Sequence, residues 1–162
     1  MNDLQDVCMH GAGNRFLLHF GDTPPKVLLR GMESVDGVLL VQEDEQVDVH
    51  MRVFNADGSE AQQCGNGLRC VALHLVRSHW VESTQVVVRT LGGTHTCIVH
   101  EKNNEVEVSL CIPKLGPESC NVHLPTLDDL PDLVFVNMGN PNAVLWTNDD
   151  PIDWIYISDF RP

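Results

Sequence analysis

The sequence predicts an α+β domain in which a meander of antiparallel strands wraps around one apolar helix. Two patterns carry that prediction. From Leu68 onward, Leu68, Val71, Ala72, Leu75 and Val76 recur at i, i+3, i+4, i+7 and i+8, the period of a helix with a buried face. Cys70 and Leu73 widen that face, so the helix wants cover on most sides. Around it lie short β-like runs punctuated by turn residues at hairpin spacing.

Taken in chain order, His10-Gly11-Ala12-Gly13-Asn14 is a turn-rich entry into an apolar strand over 16–20. Thr23-Pro24-Pro25 makes a loop, and 27–29 reads as a short strand. The apolar run 38–41 is a buried-type strand. Residues 47–54 alternate as Val47, Val49, Met51 and Val53, a half-buried strand. After the helix come strands over 85–90, 94–100 and 106–110, separated by Gly92-Gly93 and Lys102-Asn103-Asn104 turns. Ile112-Pro113 and Gly116-Pro117 break the pattern, an acidic connector runs from Pro125 to Pro131, and 133–136 is again a strand. We place a first domain at 1–116 and the start of a second at 117–162.

Composition narrows the function. The 162 residues carry 10 basic against 23 acidic side chains, a net charge of −13, which argues against binding a phosphate backbone. No apolar run reaches the length of a membrane span, and the first residues lack a secretory layout, so a cytoplasmic protein is expected. The acidic stretches 43–48 and 128–132 read as solvated loops. The six cysteines read as reduced thiols, with Cys97 and Cys111 in strand-like text. His74 and His79 lie five apart and make no metal pair, so no metal is expected.

The most informative segment is Phe54–Cys70, a polar turn, then Cys64, then Gly65-Asn66-Gly67 opening the helix. A thiol there lies beside unpaired backbone N–H groups and the positive end of the helix dipole, which favour the thiolate. Such a cysteine can act as a base or nucleophile. Cys70, on the helix's apolar side, reads as core. There is also an internal echo, Gly13-Asn14 and Gly139-Asn140 each leading into an apolar strand, 126 residues apart. If it marks two copies of one fold, Cys64, 50 residues after Asn14, would have its counterpart 50 residues after Asn140, near position 190.

Met9-His10-Gly11-Ala12-Gly13-Asn14-Arg15-Phe16, the Asn55–Cys70 run, Thr90-Leu91-Gly92-Gly93 and Asn137-Met138-Gly139-Asn140-Pro141 occur in that order. Together they resemble the diaminopimelate epimerase family, over nearly all 162 residues but only a little over half of a full-length member. The resemblance implies two pseudosymmetric domains, each a curved antiparallel-rich sheet or barrel around a central helix, the second truncated here. It implies inversion at an amino-acid α-carbon, LL- to meso-diaminopimelate, by two cysteines without pyridoxal phosphate or other cofactor. Cys64 matches the first catalytic cysteine. Gly65 and Asn66 match the backbone donors to the substrate carboxylate, and Asn14, Asn55 and Asn140 match pocket side chains. Asp57 and Glu60 would shape the turn ahead of Cys64.

The chain departs from the family pattern at Arg15 (usually Asp), Cys8 (often Lys), Gly37 (often Gln) and Asn142 (usually His). The second cysteine motif has no counterpart among these residues, so the chain alone is expected to be inactive or nearly so. A proline- or histidine-type racemase is the alternative within this chemistry. A half-molecule that binds a ligand or self-associates is the alternative outside it.

Overall fold

The computed structural model describes residues 4–30, 34–121 and 133–146. The chain divides into two compact units, Met1–Ile112 and Pro113–Pro162. The first holds an eight-stranded sheet and the long helix; the second holds a three-stranded sheet among its described residues.

In the first unit, β1 (Val7–Gly11), β2 (Asn14–His19), β3 (Gly37–Glu43) and β4 (Val49–Asn55) lie side by side, with β5 (Glu60–Ala61) on β4. β6 (Gln85–Thr90), β7 (Gly93–His100) and β8 (Glu105–Val108) continue the sheet from β4 as an antiparallel meander. Two neighbours are parallel, β2 with β3 and β4 with β6. The second of these closes a β4–α2–β6 crossover around helix α2 (Gly65–Arg77).

Leu68, Cys70, Val71, Ala72, Leu73, Leu75 and Val76 of α2 pack on Phe16, Leu18, Leu39, Val41, Val49, Met51, Val53, Val86, Val88, Cys97 and Val99 of the sheet. The helix is therefore covered on most sides, as its broad apolar face requires. The alternate residues Leu17, Val38, Leu40 and Phe54 form a second apolar patch on the other face. Burial on both faces is why β3 reads as an unbroken apolar run.

That second patch explains one departure from the sequence reading. Residues 27–29 are not a strand; they belong to a single helical turn, α1 (Pro25–Leu28), and its C-cap Leu29. Pro25 at the first helical position has the right φ and no N–H to lose. The turn closes with Val27 N–H donating to the Pro24 carbonyl at 2.8 Å, and Leu28 and Leu29 cover the patch. Cys111 likewise lies outside any strand, beyond the end of β8.

The 43–48 loop is not uniformly solvated. The Asp44 carboxylate turns inward, accepts from the Gln46 and Val47 N–H groups and pairs with Arg89. Asp48 N–H donates to the Val87 carbonyl and its carboxylate accepts from Val87 N–H at 2.7 Å. Asp48 thus extends the β4–β6 ladder, which otherwise rests on Val49↔Val88 and His50↔Arg89. The 128–132 acidic stretch lies outside the described residues.

In the second unit, β9 (Lys114–Leu115), β10 (Leu133–Asn137) and β11 (Pro141–Leu145) pair antiparallel, and a 3₁₀ turn covers Pro117–Cys120. Gly13 and Gly139 each stand at a hairpin bend, with φ of +93° and +99°. Both halves of the echo thus have the same local geometry, a left-handed glycine reversing the chain. No described helix is long and apolar enough to cross a membrane.

Candidate active site

The strand directions gather four connections at one edge of the large sheet. β2 and β3 begin there, β4 ends there with Asn55 opposite Gly37, and β6 ends there at Thr90. In a parallel crossover the helix N-terminus also lies outside the carboxyl ends of the strands, where open α/β sheets place their ligands. The N-terminus of α2 and the residue before it, Cys64, therefore meet the 12–13, 55–59 and 90–93 turns.

Each turn has a local cause. Asp57 accepts from Ser59 N–H at 2.9 Å and Ser59 Oγ at 2.6 Å, and the Asn55 amide donates to Ser59 Oγ. The Ser59 hydroxyl and N–H hold the Asp57 carboxyl below its ordinary range. Gly58, at φ +85°, completes the reversal. Glu60 then grips Arg52 through two parallel hydrogen bonds at 2.7 and 2.9 Å. Asp57 and Glu60 are thus occupied in shaping the approach to Cys64. From the other side, Gly92 N–H donates to the Gln62 carbonyl at 2.7 Å. A Cβ on Gly92 would meet Gln63 Cγ at 3.0 Å, so a bare glycine lets the two turns touch.

Cys64 is the N-cap of α2, extended at φ −145° and ψ 109°, with its Sγ accepting from Gly67 N–H at 3.4 Å. Its carbonyl accepts from Leu68 N–H at 2.8 Å. The N–H groups of Gly65 and Asn66 are the next donors, and neither has a partner inside the helix. Cys64, Gly65 and Asn66 are all partly exposed, and no acidic residue stands in the first turn to repel an anion. Gly67 is needed for packing, since a Cβ there would meet Leu39 Cδ2 at 3.0 Å. Around Gly65 the space is open.

The β1–β2 hairpin approaches the same turn of helix. A Cβ on Gly11 would lie 2.9 Å from the Asn66 carbonyl oxygen and 3.1 Å from Cys70 Sγ. This contact carries Asn14 to Asn66, whose Nδ2 donates to Asn14 Oδ1 at 2.7 Å. Arg69 in turn donates to Asn66 Oδ1. Cys70, one turn deeper, is 3% exposed; burial first, then the neighbouring Cys64 charge, pushes its thiol up to about 11. It is a core residue.

Of the expected site residues, Cys64, Gly65, Asn66 and Asn14 meet at the helix N-terminus, and Asn55 stands at the same sheet edge. Asn140 belongs to the second unit, at the β10–β11 bend, where its carbonyl accepts from Met138 N–H at 3.0 Å and the Asn142 amide at 2.9 Å. Asn142 also donates to the Val136 carbonyl, so the residue standing at the family's histidine position braces a turn. The sequence reading missed Arg69 and Gly11. Arg69 was in view, three residues after Asn66, a spacing that places both on one helix face. Gly11 gave no sign that a helix would pack on it. Among the described residues no group of three or more His, Cys, Asp or Glu side chains is placed to hold a metal.

A strongly curled mixed sheet wrapped around one helix is a fold that this chain shares with several solved structures. The structure superposes on a hydroxyproline epimerase from Agrobacterium vitis with a TM-score of 0.64 at 15% identity, covering 86% of this chain and 50% of that one. A probable proline racemase from Agrobacterium radiobacter gives 0.64 at 18% identity, over 86% and 51%. At those identities the likeness is one of fold. Residues 28–120 match the diaminopimelate epimerase family, and the chain belongs to it. The diaminopimelate epimerase of Carboxydothermus hydrogenoformans is 34% identical over 86% of this chain and 59% of its own length. That of Bacillus subtilis is 35% identical over 79% and 49%. The chain thus spans about half to three fifths of the curated relatives it matches.

Proposed function

We propose that this chain carries one acid–base half of a diaminopimelate epimerase site. Cys64 as thiolate takes the α-proton onto sulfur, leaving a carbanion, and a thiol on the opposite face returns a proton to invert the centre. The Gly65 and Asn66 N–H groups hold the α-carboxylate and stabilise the charge that develops beside it. Asn14, Asn55 and Asn140 hold the rest of the substrate, and no cofactor takes part. The reaction belongs in the cytoplasm, in lysine biosynthesis. The observation that carries this reading is Cys64 capping α2 next to two N–H groups that have no partner inside the helix, and the Asn14–Asn66 pair.

Inversion needs a group on each face, and only Cys64 among these 162 residues stands in a matching motif. The 162 residues alone are therefore inactive or nearly so. One face of the small sheet shows Val134 opposite Val144, with Leu115 68% exposed, a surface that suits self-association and that light scattering would detect.

The test is protection of Cys64 from alkylation, read peptide by peptide, together with α-proton exchange in heavy water. Meso- or LL-diaminopimelate should slow Cys64 labelling and leave exposed Cys8 unaffected. Protection by proline or histidine instead would move the substrate within the same chemistry. Labelling that no amino acid slows would refute the site. Rapid epimerisation by the 162 residues would refute the one-base assignment.

A further inference from the structure

The hydrogen bonds at the start of α2 have a direction that the chemistry of one residue fixes. Arg69 has only donors, so the Asn66 atom it meets must be the carbonyl oxygen, Oδ1. Asn66 then has only its amide nitrogen to offer, and that nitrogen meets Asn14 at 2.7 Å. Asn14 can answer only with Oδ1, which turns its own Nδ2 outward as a pair of donors. Asn14 is exposed, and among the described residues that nitrogen has no partner. Amide orientation follows from the network around it, and here the network starts at a group that cannot accept.

Arg69 is the fifth residue of α2, just past the first turn, where the helix dipole gives a cation no advantage. Helix-end electrostatics therefore supplies no reason for it. The relay gives one, because the exposed end then shows N–H donors from Asn14, Gly65 and Asn66 and no competing oxygen from Asn14.

We propose that Arg69 is a positioning residue that sets the amide polarity of Asn66 and Asn14, so that Asn14 presents donors to an anionic group, a carboxylate of the substrate. This rests on the site reading above, but the polarity can be measured without any ligand. In the ¹⁵N-labelled 162-residue chain, the Asn66 side-chain NH₂ should exchange slowly with water and the Asn14 NH₂ quickly. Arg69→Glu puts an acceptor where the donor was, so Asn66 turns its NH₂ to the new carboxylate and its Oδ1 to Asn14. The Asn14 NH₂, now a donor, should then exchange slowly like that of Asn66. Arg69→Lys, another donor-only side chain, should keep the wild-type order.

With meso-diaminopimelate as the probe, Arg69→Met leaves two orientations about equally populated. That halves the competent fraction and raises Kd about twofold. Arg69→Glu should weaken binding roughly tenfold or more, while Arg69→Lys stays near wild type. Circular dichroism of each variant checks the fold, and a variant that does not fold leaves the wild-type exchange order as the deciding measurement. Slow exchange at Asn14 with fast exchange at Asn66 in the wild type, or Asn14 exchange as fast as wild type in a folded Arg69→Glu, overturns the relay. Failure of the wild type to bind diaminopimelate overturns the site reading, while the exchange order still decides the relay.

Discussion

Gly65→Ala should stabilise the protein and impair its site at once, whereas Gly11→Ala should harm both. At Gly65 no heavy atom lies within 4 Å of a Cβ, beyond its chain neighbours and its own helical turn. Alanine there restricts the unfolded chain and favours the helix, together worth about 0.5–1 kcal/mol. For a chain of this size that raises Tm by roughly 1–4 °C. The methyl nevertheless stands beside the two N–H groups assigned to the carboxylate. Loss of one charge-assisted hydrogen bond, about 1.5–3 kcal/mol, weakens diaminopimelate's protection of Cys64 some ten- to hundredfold, on the order of magnitude.

At Gly11 the same methyl would lie 2.9 Å from the Asn66 carbonyl oxygen and 3.1 Å from Cys70 Sγ, so hairpin and helix must part. Overpacking of this kind costs about 1–3 kcal/mol, and the Asn14–Asn66 hydrogen bond is strained with it. Urea unfolding gives the stabilities and alkylation protection gives the binding. A Gly65→Ala protein that is more stable and binds as well as wild type would remove the N–H groups from the site. A neutral Gly11→Ala would show that the hairpin does not press on the helix.

Two further predictions concern pH. Burial pushes the Cys70 thiol up to about 11 and Cys97 to about 12, from an ordinary 9.0. The unfolded chain therefore releases these protons first, and their contribution, full below pH 9, should fade as pH rises through about 11 to 12. Cys97→Ala should flatten the alkaline slope of urea-midpoint stability, and an unchanged slope would remove Cys97 as its source. Burial lowers His74 below its ordinary 6.5, and its ring stacks on Phe20 at 5.3 Å between centroids. The unfolded state then binds the proton more readily, so stability should fall as pH drops below 6.5 through the lower folded value. His74→Phe keeps the stack and should lessen that acid loss; NMR titration of a His74 ring with an ordinary midpoint would refute it.

The helix and most strands were legible because their signal is local. Leu68 to Val76 repeats with the helical period, and 85–110 alternates between clear turns. β1 was missed, since its short apolar run Val7-Cys8-Met9 leads straight into the turn-rich His10–Asn14 segment and none of its residues is fully buried. The helical turn at Pro25 was misread because Val-Leu-Leu favours strand and helix nearly equally. What decides between them is the patch of Leu17, Val38, Leu40 and Phe54, which lies elsewhere in the sequence. Cys64, Gly65 and Asn66 were legible together because they are adjacent; their contact with Asn14, 52 residues away from Asn66, was not.

The parallel pairing of β4 with β6 was the least legible feature and matters most for the site. Had β6 paired antiparallel to β4, the chain leaving α2 would have entered the sheet from the opposite edge. The 90–93 turn would then lie at the far end, and Gly92 could not hold Gln62 beside the helix. Only two residue pairs and the Asp48–Val87 hydrogen bonds mark that ladder, and no motif signals it. Asp48 supplies from its side chain an acceptor where the strand has not yet begun, which lets so short a ladder start in register. An acidic residue that composition alone assigns to a solvated loop thus helps set the strand direction that frames Cys64. In this fold the chemistry of the site is written in adjacent residues. Its placement depends on a long-range pairing whose partners are 39 residues apart.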